Sequence, residues 1–474
     1  MRMDARSRRR RGGNNYTVVF VVVFVIWFII VSGIIISRRF DFGANDTDST
    51  ISETESVPGS GTESDNTKDS DTEPDTTDAI ATEEAPVTYK EITLLSAGDI
   101  MFHMAQIEYA KAAGGNGTYD FTNTFKYIKD LVSSADYAVA NFETTLAGDA
   151  YEYKGYPAFN SPDSTLDAIK DAGFDMLLFA NNHCYDTYRN GLIRTQEKFI
   201  DYGFDYIGAK LDPENDGYLI VDINGIKVGM LNYADDLSGG ITEPRYINGR
   251  VIREGDLGYM NLYNLSLLDE FYNEVRENIN TMRDNGADII IFYIHWGLEY
   301  KTKHNWYQEQ VAQELCNLGV DVIIGGHPHV VQDVAILTNE HDSTKKTLCY
   351  YSLGNLVSNQ NRVTLGEDFT NSRLTEGGLI VMLTIRLYST GECLVVKAEA
   401  IPTWVHRYKT NIGIVHEIVP AKAALENPEA YGLTATSFGK KNAEEVYTAT
   451  LNIIGGVTEA FNESVILPAV GGVE

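Results

Sequence analysis

Five short runs of β-branched and apolar residues, at 92–97, 137–140, 176–180, 289–294 and 320–324, each end in a turn carrying carboxylate, amide or imidazole groups. The turns are Gly98-Asp99, Asn141-Phe142-Glu143, Asn181-Asn182-His183, His295-Trp296-Gly297 and Gly326-His327-Pro328-His329. Apolar runs of this length, without polar alternation, read as strands buried on both faces. Parallel strands of that kind deliver the loops at their carboxyl ends to one edge of a sheet, where open α/β folds bind ligands. The five turns are therefore expected to converge. Their mixture of oxygen donors and imidazoles suits Mn, Fe, Zn or Mg and does not suit a thiolate-bound ion.

The order of the remaining elements narrows the architecture. Helical stretches at 121–133, 164–172, 189–202, 265–285 and 306–318 alternate with strands as far as His329. Consecutive strands follow at 331–337, 347–352, 378–388 and 393–401, the last two joined by a hairpin turn at Ser389-Thr390-Gly391. Alternating units followed by a strand-rich half predict an α/β fold with two packed sheets and helices outside, an α/β/β/α sandwich over 91–404. Residues 405–474 carry no metal-type motif and read as a C-terminal extension.

The first 90 residues have a different character. Arg2, Arg6, Arg8, Arg9, Arg10 and Arg11 lie in a basic segment, 1–15, ahead of an apolar stretch at 16–37. A run of about 20 apolar residues spans a bilayer as one helix, and the arginine excess before it places the N-terminus in the cytoplasm. The run is longer than a signal-peptide core, and no small-x-small cleavage site follows, so an uncleaved single-pass anchor is expected. Residues 38–90 form an acidic linker: fourteen Asp and Glu against one lysine from 41 to 89, with almost no large apolar side chains, predict a disordered tether. From Glu91 onward 52 acidic residues face 28 basic ones, which excludes a general nucleic-acid-binding role. The main domain is thus expected outside the cell membrane. Its four cysteines show no CxxC and no close pairing, so they predict buried thiols and no disulfide framework.

Among the nine histidines, His103, His183, His295, His327 and His329 lie in or beside the five turns. Gly325-Gly326 lets the chain turn tightly and Pro328 stiffens it, so that His327 and His329 are aimed at neighbouring ions. Asp99 reads as a ligand, with helix N-capping as the alternative. Glu143 at the end of an apolar strand is costly unless solvated, paired or metal-bound, and it is placed to bridge two cations. Asn182 supplies an amide oxygen. His183 beside it diverges from the same ion, which makes it a candidate acid or transition-state donor, while Asp186 orients it or caps the turn. Cys184 adjoins His183, but the metal-type residues of that segment outweigh a cysteine nucleophile. The segment Tyr351-Ser352-Leu353-Gly354-Asn355 adds a further small-residue turn at the cleft.

These segments resemble the poly-γ-glutamate capsule synthesis proteins of the CapA type, a branch of the calcineurin-like metallophosphoesterase superfamily. The resemblance rests on Ala97-Gly98-Asp99-Ile100-Met101, Asn141-Phe142-Glu143-Thr144, Ala180-Asn181-Asn182-His183 with Asp186, His295-Trp296-Gly297 with Glu299-Tyr300, Gly326-His327-Pro328-His329-Val330 with Gln332, and the turn ending at Asn355, in the family's order. It implies a four-layer sandwich of the metallophosphoesterase type and a site for two divalent ions. Asp99 and His329 would hold one ion, Asn182, His295 and His327 the other, with Glu143 shared and His183 serving the leaving group. Two features depart from the wider superfamily: Met101 stands where an Asp-x-His pair would have its histidine, and Asn-x-Glu replaces Gly-Asp. The function implied is metal-dependent hydrolysis in capsule or envelope polymer biosynthesis. The partners implied are an anionic surface polymer or its precursor and other membrane capsule-synthesis proteins. The alternatives are a non-catalytic polymer-binding assembly component and a nucleotide or sugar-phosphate phosphatase.

Overall fold

Successive residues of a strand face opposite sides, so a run that is apolar throughout must be covered on both. The computed structural model describes residues 86–236, 244–465 and 467, and shows what covers each side. Its strands up to the middle of the chain are β1 (Tyr89–Ile100), β2 (Tyr137–Phe142), β3 (Met176–Leu178), β4 (Asp205–Ile207), β5 (Tyr218–Ile223), β6 (Ile226–Asp235), β7 (Tyr246–Ile247), β8 (Arg250–Val251) and β9 (Leu262–Tyr263). Then come β10 (Ile289–His295), β11 (Val322–Gly326), β12 (Val334–Thr338), β13 (Lys346–Tyr350), β14 (Asn355–Val357), β15 (Gly377–Tyr388), β16 (Cys393–Lys409) and β17 (Ile414–Pro420). The first large sheet has the order β17-β16-β15-β1-β2-β3-β4, with β14 beside the end of β1; the second has the order β12-β13-β11-β10-β6-β5, with β9 beside β6. In both, the strands that lead to the polar turns are parallel: β1 to β2 to β3 in the first, β6 to β10 to β11 in the second. The fold is mixed α/β.

Three apolar clusters follow the two-residue period. Ile92 and Leu94 of β1, Val139 of β2 and Met176 of β3 share one cluster with Val228 and Met230 of β6, Ile289 and Ile291 of β10, and Val322 and Ile324 of β11. The intervening residues Leu95, Ala97, Ala138 and Ala140 pack instead against Ile107, Phe125, Leu166, Ile169, Leu192 and Phe199, which belong to helical segments. On the second sheet Ile290, Phe292 and Ile294 meet Phe271, Val275 and Ile279 of the helix Leu268–Asp284, and Val311 and Leu315 of the helix Trp306–Asn317. Phe271, Val275, Ile279 and Met282 recur at helical spacing, which gives that helix a single buried stripe. Each such side chain, removed from water, contributes about 1.5–3 kcal/mol before entropy is counted.

Several elements depart from the expectation. The stretch 121–133 divides into two short helices, Thr122–Phe125 and Lys129–Val132, and a further helix, Met104–Gly114, follows β1. The alternation before His329 is interrupted by the antiparallel pair β5–β6. β6 contains Gly229 and Asn232, which break its apolar pattern. A Cβ on Gly229 would lie 2.6 Å from Ile290 Cδ1 of β10 and 2.9 Å from Met282 Sδ of the helix Leu268–Asp284, so glycine is what permits the close packing there. Strand β16 runs through position 404, and β17 and the helices Ala421–Glu426 and Gly439–Ile454 bury Trp404, Val419, Ala424 and Val446 together. The basic segment 1–15, the apolar stretch 16–37 and nearly all of the linker lie outside the described residues. Among the described residues no helix is long and apolar enough to cross a membrane.

Where β1 ends, Gly98 allows β14 to come close. A Cβ at that position would lie 2.0 Å from Gly354 O, a backbone atom. Gly98→Ala should therefore lower the unfolding free energy by about 1–3 kcal/mol, the usual cost of overpacking a rigid site. Urea denaturation measures it; an unchanged midpoint would show that the β1–β14 contact yields.

Candidate metal centre

The polar turns do converge. Asp99, Glu143, Asn182, His295, His327 and His329 are all buried at the carboxyl-terminal ends of the parallel strands. Asn182 Oδ1 lies 3.0 Å from His295 Nε2, which lies 3.2 Å from His327 Nδ1 and 3.7 Å from Glu143 Oε1. Glu143 Oε1 is 4.0 Å from His329 Nε2, and His329 Nδ1 is 3.5 Å from Asp99 Oδ2 and 3.1 Å from Asn355 Oδ1. Asp99, Glu143 and His295 each offer a ligand atom within 4.8 Å of one another, a group able to hold a metal ion. For comparison, two donors each about 2.1 Å from one ion and at right angles stand roughly 3 Å apart.

Backbone conformation places these donors. His327 and His329 have φ of 94° and 57°, and Tyr300, whose ring centroid is 6.1 Å from that of His329, has 62°. Non-glycine residues in this region are strained, and they persist where the surroundings over-determine them. Here Tyr300 N–H donates to Pro328 O at 2.8 Å and Asn371 Nδ2 donates to Tyr300 O at 2.8 Å. Trp296, fully buried, donates Nε1–H to Tyr351 O at 2.9 Å and anchors the segment carrying His295. On the first sheet Asn141 Nδ2 donates to Asp99 Oδ1 at 2.8 Å, and Asn181 Nδ2 donates to Asn141 Oδ1 and Phe142 O. The amides thus hold the carboxylate turns in register.

The electrostatics of the set call for a cation. Burial, then the like charge of Asp99, drives the Glu143 carboxyl well above the usual carboxylate range. Its Oε1 is buried and has no hydrogen-bond partner among the described residues. Burial, followed by the neighbouring imidazoles, holds His295 well below its ordinary value, and burial brings His327 down to about 4. Those two rings are therefore neutral and have lone pairs to offer. A proton on His295 Nε2 could serve only one of its close neighbours, so the contacts around it are not all satisfied by hydrogen bonds. His329 is raised: burial opposes its protonation, but Asp99 outweighs it. The residues fit divalent cations on three counts: the orphaned Glu143 oxygen, the neutral imidazoles and the oxygen–nitrogen donor mixture.

His183 and Asp186 stand as a pair beside this set. His183 Nδ1 lies 2.7 Å from Asp186 Oδ2, which also accepts Phe159 N–H at 2.6 Å. With Nδ1–H donated to the carboxylate, Nε2 is the nitrogen left for chemistry. The Phe159 ring packs edge-on at 4.7 Å and fixes the plane of the imidazole. Asn248 donates Nδ2–H to Asp186 Oδ1 at 2.8 Å and to Pro157 O at 3.0 Å. Sequence reasoning passed over Asn248. The signal was present in Asn248-Gly249, whose φ values of 47° and 68° make the two-residue turn of the β7–β8 hairpin.

Two other candidates resolve. Cys184 is buried and its thiol is pushed up to about 12 by burial, which removes it as a nucleophile. Cys316 and Cys349 are likewise buried free thiols, and Cys393 is half-buried. His103 precedes the helix Met104–Gly114, and its Nδ1 accepts Asn359 N–H at 3.3 Å. Met101, at the position of the superfamily's histidine, belongs to the buried core.

Comparison with known proteins finds two relatives and a family model. The chain is 28% identical over 288 residues to the capsule biosynthesis protein CapA of Bacillus anthracis, a match covering 58% of this chain and 62% of that protein. It is 24% identical over 287 residues to the PGA biosynthesis protein CapA of Bacillus subtilis (strain 168), covering 58% of this chain and 65% of that one. The matched region thus spans less than two thirds of either relative. A family model described as bacterial capsule synthesis protein PGA_cap matches residues 93–360, more than half of the chain and inclusive of every turn that meets at the centre. By that match this chain belongs to the PGA_cap family of bacterial capsule synthesis proteins, as a CapA-type member.

Proposed function

We propose that this protein is a membrane-anchored, extracytoplasmic metal-dependent hydrolase of capsule polymer biosynthesis, acting on an anionic polymer such as poly-γ-glutamate or on its precursor. The observation that carries the reading is Glu143 Oε1, buried without a hydrogen-bond partner and 3.7 Å from His295 Nε2. Asp99 and His329 would hold one ion, Asn182, His295 and His327 a second, and Glu143 both. Divalent cations of the Mn, Fe, Zn or Mg kind supply charge that acidifies water and offsets negative charge growing on a phosphoryl or acyl oxygen. Asp186 holds the His183 proton on Nδ1, so that Nε2 is presented for transfer of a proton to the departing group. The apolar clusters between the sheets and beneath the helices support a four-layer sandwich of the metallophosphoesterase type over 91–404. The arginine-flanked stretch at 16–37 supports anchoring, and the acidic tether supports a domain held off the membrane. Other membrane capsule-synthesis proteins are the partners such a position would reach.

Met101 favours a second reading: with the superfamily's histidine missing, the site would bind polymer as an assembly component without turning it over. The two readings separate in one experiment. Purified full-length chain, supplied in turn with each metal, is assayed on aryl and alkyl phosphoesters and on γ-glutamyl amides. Metal-dependent turnover supports the hydrolase, whereas bound metal with no turnover on any of them supports the assembly role. Protease added to intact cells should release the domain; complete protection would refute the extracytoplasmic placement.

A further inference from the structure

The chain beyond the family match extends the first sheet past the Asp99 end of β1. β15 runs antiparallel to β1, so its first residue, Gly377, lies toward the Asp99 end of the sheet. β16 pairs Trp404 with Gly377 and then continues past that end, where only β17 accompanies it. Arg407, opposite His416 in this hairpin, is three residues past Trp404, about 10 Å at the rise of a strand. Asn359 reaches the same edge from below, two residues after β14. Its Oδ1 accepts from Arg407 Nε at 3.0 Å and from His416 Nε2 at 2.9 Å, while its backbone N–H donates to His103 Nδ1. His103 packs edge-on against Phe159 at 5.0 Å, and Phe159 packs in turn against His183. One amide and two rings therefore connect the guanidinium to the His183 pair.

The charge of Arg407 sets it apart from its neighbours. Arg362 is held by Glu376 and Glu445, and Arg373 by Glu445. Arg407 is half-buried, and Asn359 is its hydrogen-bond partner; the carboxylate that acts on its charge, Glu376, is bound by Arg362 and Trp404, and among the described residues none forms a salt bridge with Arg407. The imidazoles around Asn359 add no positive charge of their own: burial brings His103 and His416 each down to about 3, so both are neutral. A partly desolvated cation without an anion in direct contact is costly, and its planar fork matches a carboxylate or phosphate.

We propose that Arg407 is a substrate-anchoring residue that holds an oxyanion, a carboxylate or a phosphate, of the molecule bound at the metal centre. The identity of that molecule rests on the hydrolase reading; the anion site itself does not. The test measures binding of two probes to the full chain by calorimetry, a short γ-linked oligoglutamate and inorganic phosphate, with the wild type and Arg407→Gln. Loss of a charge-assisted hydrogen bond should weaken the responding probe roughly 10- to 100-fold. Bound metal and the urea midpoint should stay as in the wild type, and Arg407→Lys should fall between. The probe that responds names the source, carboxylate or phosphate. Equal binding of both probes by wild type and Arg407→Gln, or no binding of either by the wild type, overturns the proposal. Arg407-dependent binding by a wild type that turns over no phosphoester or γ-glutamyl amide with any metal would sink the hydrolase reading and leave the anion site standing.

Discussion

Glu143→Gln should make the metal-free protein more stable and the metal-loaded protein less so. The wild-type carboxyl is buried beside Asp99, and its raised pKa means that the folded state resists ionisation. A group whose folded pKa lies above its unfolded value of 4.5 leaves stability intact below that value. The stability falls as pH rises from there through the folded pKa. Metal-free wild type should therefore weaken between mildly acidic and neutral pH. The isosteric amide, which does not ionise, should remove that dependence and add about 1–3 kcal/mol at neutral pH. With cation the order reverses, because the amide is a poor ligand. Metal at about 1,000 times its dissociation constant adds about 4.1 kcal/mol to a chain that binds it, more than the amide gains, and the variant, lacking that carboxylate ligand, should bind too weakly to recover the difference. Urea unfolding with and without chelator across pH reads both arms. A variant less stable than the wild type in chelator would mean that Glu143 stabilises the fold by itself, and the argument from its unpartnered oxygen would fail.

The second large effect concerns His183, whose Nδ1 pairs with Asp186 while the amide oxygen of its neighbour Asn182 lies against His295. His183→Ala should retain bound metal and cut turnover by roughly 10²- to 10⁴-fold, the range for a lost general acid. The loss should shrink on an aryl ester, whose leaving group departs without protonation. Asn248→Ala acts through Asp186 and should give a smaller loss of the same kind. Equal losses on aryl and alkyl esters would exclude the acid role, and loss of metal in His183→Ala would make that residue a ligand.

How much of this was legible in the sequence depended on what each residue depends upon. The strands leading to Asp99, Glu143 and His295 were visible because a strand buried on both faces must be apolar at every position, as in Ile289–His295. The turns after them were visible because glycine, proline and polar side chains cluster where the chain leaves a sheet. β6 was missed: Gly229 and Asn232 answer to neighbours distant in sequence, Ile290 for the one and Ala180, whose N–H Asn232 accepts at 2.7 Å, for the other. Strand β16 was cut short at Ile401 because its continuation, Val405 to Lys409, mixes polar and aromatic residues and is paired with β17 alone. The same cause hid Arg407, whose hydrogen-bond partner Asn359 lies in the loop after β14. Asn248 sits in a turn that local pattern does reveal, but its reach to Asp186 is tertiary.

The central claim is that the edge where β1, β2, β10 and β11 end is a cation site. Diffraction from crystals of the protein grown with manganese, collected with anomalous signal, tests it most directly. The account predicts anomalous peaks among Asp99, Glu143, Asn182, His295, His327 and His329, and their disappearance in a folded His327→Ala, His329→Ala double variant. A well-ordered wild-type structure at saturating manganese with no peak among those residues would contradict it.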